Sequence, residues 1–355
     1  IGFVYARDFQ TDSKENKNVI EQELSKLIDK QMQLYRWKLI GSSYELIAQT
    51  IYNNKLTVDY SVAITHRLDF PSAKDVPVLK GKMKYLDELN ANAKANSEKL
   101  HFVKAKVAQW EKNLQSYIDQ DQQMYETIRV TATLNDKNEV IKNSIQFAFQ
   151  QPDDSFMPAD QFLVVDSENE VLQSSYNEVK NHAGKIKEKE SAGPVASYIP
   201  TYDAYDSTAA VAYANKWVKA TTKACKTGSS TVQDYANYNP AYDKYQCNDC
   251  ANFVSQCLYA GGIPQSTTWA PGKLAWINTG YSADYYGLVE YMVDNYYAIA
   301  TTKASVEAGG MISMTGYSHV MFVVYNDGTT VKYNAHSSDR YQSGTSTGSG
   351  MAFYN

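Results

Sequence analysis

Asp249-Cys250-Ala251-Asn252-Phe253-Val254-Ser255-Gln256-Cys257-Leu258-Tyr259-Ala260-Gly261-Gly262 is the stretch on which the fold of the second half turns. Phe253, Val254, Cys257 and Leu258 recur at helical spacing, and the Gly-Gly pair stops the run. The pattern predicts one helix that begins at Cys250. A thiol in the first turn of a helix sits at the positive end of the peptide dipoles, among backbone N–H groups that lack intrahelical partners. Both conditions favour the thiolate, the form of cysteine that attacks.

A cysteine nucleophile needs a base, and beyond position 200 the chain has only His319 and His336. Strands are expected over Ser318–Tyr325 and Thr330–His336. Asp327-Gly328 between them is a two-residue hairpin signal, which would pair Asn326 with Thr329. That register sets His319 directly opposite His336, with Cβ atoms ~4.5–5.5 Å apart and Asn334 on the diagonal. Alternation then puts Val320, Phe322 and Val324 on one face with Val331, Tyr333 and Ala335, and leaves His319, Asn334 and His336 on the other. Cys250 at a helix start, packed against this polar face, would complete a nucleophile–base–orienter set.

The run from Asp249 to Gly262, the segment Ser318-His319-Val320-Met321-Phe322-Val323-Val324 and the segment Tyr333-Asn334-Ala335-His336-Ser337-Ser338-Asp339-Arg340 together resemble the "putative amidase domain" family, a branch of the papain-like superfamily. Cell-wall peptidases of the NlpC type and CHAP amidases are similar in layout. The resemblance runs from about Tyr198 to Asn355 and leaves the first half uncovered. It implies a Cys–His–polar triad in a rearranged papain core, with Cys250 as nucleophile, His319 as base and His336 in the third place, Asn334 being the reserve for that place. It also implies that Tyr238, upstream of the cysteine, assists the oxyanion as in NlpC-type enzymes, although Tyr235, Tyr242 and Tyr245 compete for the place. The substrate it implies is a peptide or a peptidoglycan stem amide.

The remaining residues have plainer alternatives. Cys250 could be a small buried hydrophobe. Cys247, Cys250 and Cys257 plus a histidine could be drawn as a zinc site, but Cys257 falls on the apolar side of the helix, so neither metal nor cofactor is expected. Cys225 and Cys247 are either a disulfide or two free thiols. Asp249 and the tryptophans Trp269 and Trp276 are candidates for the oxyanion site or substrate groove, the tryptophans equally for the core. Asp339-Arg340 is a surface ion pair or a pocket wall.

Working outward, the first half reads as α+β. An amphipathic helix is expected over Asp12–Leu34, a hairpin over Tyr44–Tyr52 and Thr57–Phe70 around Asn53-Asn54-Lys55, and helix over Pro77–Asp119. A second hairpin is expected over Met124–Leu134 and Val140–Gln150, with a strand at Gln161–Asp166. The expected architecture is helices on a curved antiparallel sheet, cystatin-like or NTF2-like by analogy, followed by a papain-like α+β domain. The boundaries are residues 1–184 for the accessory domain, 185–204 for a linker marked by Ala192-Gly193-Pro194, and 205–355 for the amidase domain. His66 and His101 are read as structural or surface histidines.

Composition narrows the function. The 355 residues carry a net charge of −5 with acids and bases mixed, which is no nucleic-acid footprint. No apolar run approaches the ~18–20 residues of a membrane span. A start at Ile1 without methionine fits removal of a leader, so a secreted or cell-wall-associated bacterial protein is expected. The 29 tyrosines suit sugar stacking or peptide gripping. Two functions follow. One is a secreted cysteine amidase or peptidase working through a thioester; the other is an inactive cell-wall or protein-binding module on the same fold.

Overall fold

A computed structural model describes residues 14–92, 98–185, 205–218, 226–227, 232–233, 237–280, 287–295, 297–316, 318–337, 339–345 and 350–355. The first half is built from α1 (Lys14–Tyr35), β1 (Trp37–Tyr52), β2 (Lys55–Leu68), α2 (Pro77–Asn92), α3 (Glu98–Asp119), β3 (Gln122–Thr133), β4 (Gln146–Gln150), β5 (Phe156–Pro158), α4 (Ala159–Phe162) and α5 (Glu168–Lys185). Its five strands form one antiparallel sheet in sequence order. The β1–β2 turn has Asn53 and Asn54 at φ 48° and 57°, the left-handed pair that a tight hairpin with twisted strands requires. In β2 the alternating set Leu56, Val58, Tyr60, Val62, Ile64 and Leu68 is buried, and α1 covers the sheet with Ile20, Leu24 and Ile28 one turn apart.

Two expectations fail in this half. Gln161–Asp166 is not a strand: the chain makes the short helix α4 and then runs irregularly into α5. Helix α5 itself was not foreseen. Its start is a capping box, in which the Glu170 carboxylate accepts from Ser167 N at 2.8 Å and Ser167 Oγ accepts from Glu170 N at 3.3 Å. The helix packs so closely on α2 that a Cβ at Gly81 would lie 2.2 Å from Leu172 O. The linker placed at residues 185–204 lies outside the described residues, apart from Lys185.

The second half comprises α6 (Ser207–Lys216), the short pair β6 (Lys226–Thr227) and β7 (Val232–Gln233), α7 (Cys250–Ala260), α8 (Leu274–Ile277), α9 (Leu288–Asp294), β8 (Ala300–Thr301), β9 (Met311–Met314), β10 (Val320–Asn326), β11 (Val331–Ala335), β12 (Arg340–Thr345) and β13 (Met351–Tyr354). Six strands form an antiparallel sheet in the order β12-β11-β10-β9-β13-β8. Helices α6 and α7 lie on the face that carries Val320, Phe322 and Val324. Met321, Val323, Val331, Tyr333 and Ala335 belong to a separate cluster with Ile312 and Phe353.

That division corrects the expected register. Phe322 pairs with Asn334 and Val323 with Tyr333; a bulge at Val324 then brings Tyr325 opposite Lys332 and Asn326 opposite Val331. The turn is wider than its Asp-Gly core because its side chains hold it open. Asp327 Oδ1 accepts from Thr329 N and Thr330 N, and Asn326 Oδ1 accepts from Gly328 N. A slip of one residue moves every side chain to the other face. His336 therefore does not face His319, and it points instead toward α7.

The tip of the β10–β11 hairpin is buried in the first half of the chain. Asp327 Oδ2 accepts from Trp37 Nε1 at 2.7 Å and from the Tyr325 hydroxyl at 3.0 Å. Lys332 Nζ lies 2.7 Å from His66 Nε2, donates to Gln123 O at 2.8 Å and sits 4.1 Å above the Tyr325 ring. The Trp37 and His66 rings stack at 3.6 Å. Gly328, at φ 90°, leaves no space for a Cβ, which would meet Val78 at 2.7 Å. Further along the seam, buried Arg340 donates to Asp154 at 2.6 Å, so it is neither a surface residue nor part of the thiol site. His66 is thus structural, and His101 is exposed on α3.

Candidate active site

Helix α7 is apolar over most of its surface, with nine consecutive residues from Cys250 to Leu258 buried. Such a helix is held by its surroundings rather than by an amphipathic stripe. Trp269 and Trp276 do much of this. Both are fully buried, with Trp276 Nε1 donating to Asn252 at 2.8 Å and Trp269 Nε1 to Ser255 at 3.1 Å. They pack the helix and line no groove. Cys257, on the same helix, is a core residue whose thiol burial pushes well above its ordinary range.

Asp249 fixes the start of α7. It is fully buried; its Oδ1 accepts from Asn252 Nδ2 at 2.8 Å and from Tyr245 N at 3.2 Å, and its own N–H donates to Ser337 Oγ at 2.8 Å. Its Oδ2 lies 2.7 Å from His336 Nδ1. The other ring nitrogen of His336 lies 2.6 Å from Trp217 O. Both imidazole nitrogens are thus engaged by oxygens. The His336 ring also stacks on Phe253 at 4.1 Å and meets Tyr238 edge-on at 5.3 Å. His336 is therefore a brace between the cap of α7, the end of α6 and β11. Asn334 is committed elsewhere as well: it donates to Asn215 at 2.9 Å and accepts from Gln342 N at 2.7 Å. Neither residue fills the orienting place expected of it. Tyr238 rests on His336, and Asp249 faces the brace rather than open space.

Cys250 and His319 are brought together. His319 immediately precedes β10, and its carbonyl accepts from Met314 N at 2.9 Å, which ties the β9–β10 turn. Cys250 is only 7% exposed and His319 8%. Burial raises the pKa of the Cys250 thiol. Hydrogen bonding to the His319 ring and the charge of that ring, with help from the Thr279 hydroxyl and the Val320 N–H, outweigh burial and lower it from 9.0 to about 7. Thr279 Oγ1 lies 3.5 Å from Sγ. His319 Nε2 is buried with no hydrogen-bond partner among the described residues. Thr279 was not foreseen, and a threonine before a glycine carries no signal that could have singled it out.

Of the other cysteines, Cys247 is disulfide-bonded, and Cys225 lies outside the described residues. No group of three or more metal-ligating side chains occurs among the described residues. No helix there is long and apolar enough to cross a membrane. A cavity of about 210 Å³ at the seam, lined by Tyr35, Phe70, Pro77, Asp327 and Thr329 among others, includes none of the residues around the thiol.

A mixed α+β domain with a thiol of lowered pKa against an imidazole has the equipment of a hydrolase that works by nucleophilic attack. Residues 204–354 match the family described as "Putative amidase domain", which supports a hydrolytic amidase role for the second half of the chain. Among curated proteins, a 42-residue stretch is 48% identical to the "Uncharacterized protein YjcM" of Bacillus subtilis (strain 168), covering 12% of this chain and 10% of that protein. The match thus spans about a tenth of the relative's length. No solved structure matches the chain.

Proposed function

We propose that the C-terminal domain hydrolyses amide bonds with Cys250 as nucleophile and His319 as general acid and base. The Cys250 thiolate adds to the carbonyl carbon, and the oxygen takes up the negative charge near the backbone N–H groups at the start of α7. His319 passes its proton to the leaving nitrogen as the C–N bond breaks, which leaves a thioester. His319 then takes a proton from water as the oxygen attacks, and the acyl group leaves as a carboxylate while the thiol is restored. The observation that carries this reading is the contact between the thiol and the imidazole, with the thiol pKa at about 7. A peptide or peptidoglycan stem amide is the proposed substrate, on the strength of the family resemblance. Action outside the cell is proposed with it, and the disulfide at Cys247 supports an oxidising compartment.

Cys250→Ala should abolish release of amine from peptide and muropeptide substrates while leaving the thermal transition in place. An alanine variant with undiminished turnover removes the proposal. An inactive binding module is separated from an enzyme by alkylation kinetics: a catalytic Cys250 is labelled by iodoacetamide rapidly at pH 7, whereas an inert one is labelled as slowly as buried Cys257.

A further inference from the structure

We infer that Thr279 is part of the catalytic apparatus, donating its hydroxyl hydrogen bond to the sulfur of Cys250 in the thiolate state. The inference rests on Cys250 being the nucleophile and adds a third contributor to the Cys250–His319 pair.

Three observations converge on it. The first is contact: Oγ1 of Thr279 is 3.5 Å from Sγ, within the range of a hydrogen bond to sulfur. A thiolate can only accept, so the hydroxyl must then be the donor. The second is burial. Thr279 is 8% exposed and Cys250 7%, so little water is available to solvate the anion, and an unpaired charge there would be costly. The third is rigidity. Thr279 O accepts from Val289 N at 3.1 Å and Asn278 O from Leu288 N at 2.8 Å, so the start of α9 grips this segment. Next to it Gly280 lies against Gly287, where a Cβ would come within 2.3 Å of the Gly280 carbonyl carbon. The hydroxyl is thus delivered by backbone that has little freedom to withdraw it.

The sulfur has three donors: the His319 ring from the β9–β10 turn, the Val320 N–H from β10, and Thr279 from the segment before α9. Among the described residues, His319 is the titratable group that acts on it. Asp249, the preceding residue, directs its carboxylate to His336, Asn252 and the Tyr245 N–H. Of the three donors, the threonine hydroxyl alone can be removed without changing side-chain shape or the local charge.

The test is the pH dependence of Cys250 alkylation by iodoacetamide in the full chain, with Cys250→Ala marking the labelled site. Thr279→Val should move the midpoint upward by about half to one pH unit, a three- to tenfold loss of thiolate below the midpoint, as expected for one net hydrogen bond. Thr279→Ser should restore the wild-type profile. Should the valine variant fail to fold, Thr279→Ala serves in its place against the same serine control. A folded Thr279→Val or Thr279→Ala with an unmoved midpoint overturns the role of the threonine. A serine variant that shifts as far as the hydroxyl-free variants overturns it too, since shape and not the donor would then be responsible. A wild-type midpoint near 9 instead overturns the nucleophile reading.

Discussion

The two ends of β10 carry two buried polar clusters of opposite character. At the N-terminal end, Cys250, His319 and Thr279 form a cluster in which His319 Nε2 has no hydrogen-bond partner among the described residues. At the other end, seven residues on, Asp327, Lys332, His66, Trp37 and Gln123 are joined to one another across the seam. The strand between them spans about 20 Å at ~3.3 Å per residue. Burial acts on both clusters, but the outcomes differ. At the seam it drives charges out: Lys332 falls well below its ordinary range, Asp327 is raised and the neighbouring Glu126 is raised to about 8. At the thiol, local donors overcome it and a charge is favoured. Groups that burial pushes toward their neutral forms, held in mutual contact, suit a fastening; a favoured charge beside an imidazole suits reactivity.

The contrast can be broken most sharply at His319. His319→Ala should lower turnover by about 10²–10⁴ and slow alkylation at pH 7, with little change in the unfolding midpoint. Lys332→Ala should do the reverse. It strips His66 and Gln123 O of their donor, and urea unfolding should show a loss of about 3 kcal/mol, while the alkylation profile of the folded protein stays in place. A shifted profile would mean that the two ends are coupled.

Acidity separates the ends by sign. The pKa of Glu126 is raised from 4.5 to about 8, so its stabilising contribution is complete below about pH 4.5 and is lost as pH rises through about 8. The pKa of Cys250 is lowered from 9.0 to about 7, so its contribution is present above about pH 9 and is lost as pH falls through about 7. Glu126→Gln should therefore stabilise the protein at pH 8 by roughly a few kcal/mol and change little at pH 4, as followed by thermal melts across that range. An equal effect at both pH values would remove the account of Glu126. The smallest effect belongs to Tyr238→Phe, which keeps the ring against His336. Turnover should change by less than about threefold, whereas loss of an oxyanion donor costs about 10²–10³.

The sequence exposed the parts of this comparison unevenly. Helix α7 was legible because Phe253, Val254, Cys257 and Leu258 keep strict spacing and Gly261-Gly262 ends it. The thiol–imidazole pairing was legible because a helix start and a histidine at a strand start are local features. The β1–β2 hairpin was legible in Asn53-Asn54. The β10–β11 register was not, because it depends on how Asn326 and Asp327 cap their own turn and on a bulge at Val324. Reading Asp-Gly as a two-residue turn displaced the faces by one residue and gave His336 a false partner. Its real one, Asp249, adjoins Cys250 in sequence, but nothing in the spacing says that β11 returns to it. Helix α5 was missed although Ser167 and Glu170 spell out its capping box. Thr279 was beyond reach, since its position depends on where the segment before α9 is folded back.

The hairpin tip has one more consequence. With Asp327, Gly328 and Lys332 seated in the first half of the chain, the two halves are held in contact across the hairpin tip, and they should unfold together. A protease cut between Lys185 and Tyr205 would yield a nicked protein whose pieces co-elute. A fragment made only of the second half would carry a bare lysine and aspartate into water, and its behaviour would report on that wound as much as on the thiol site.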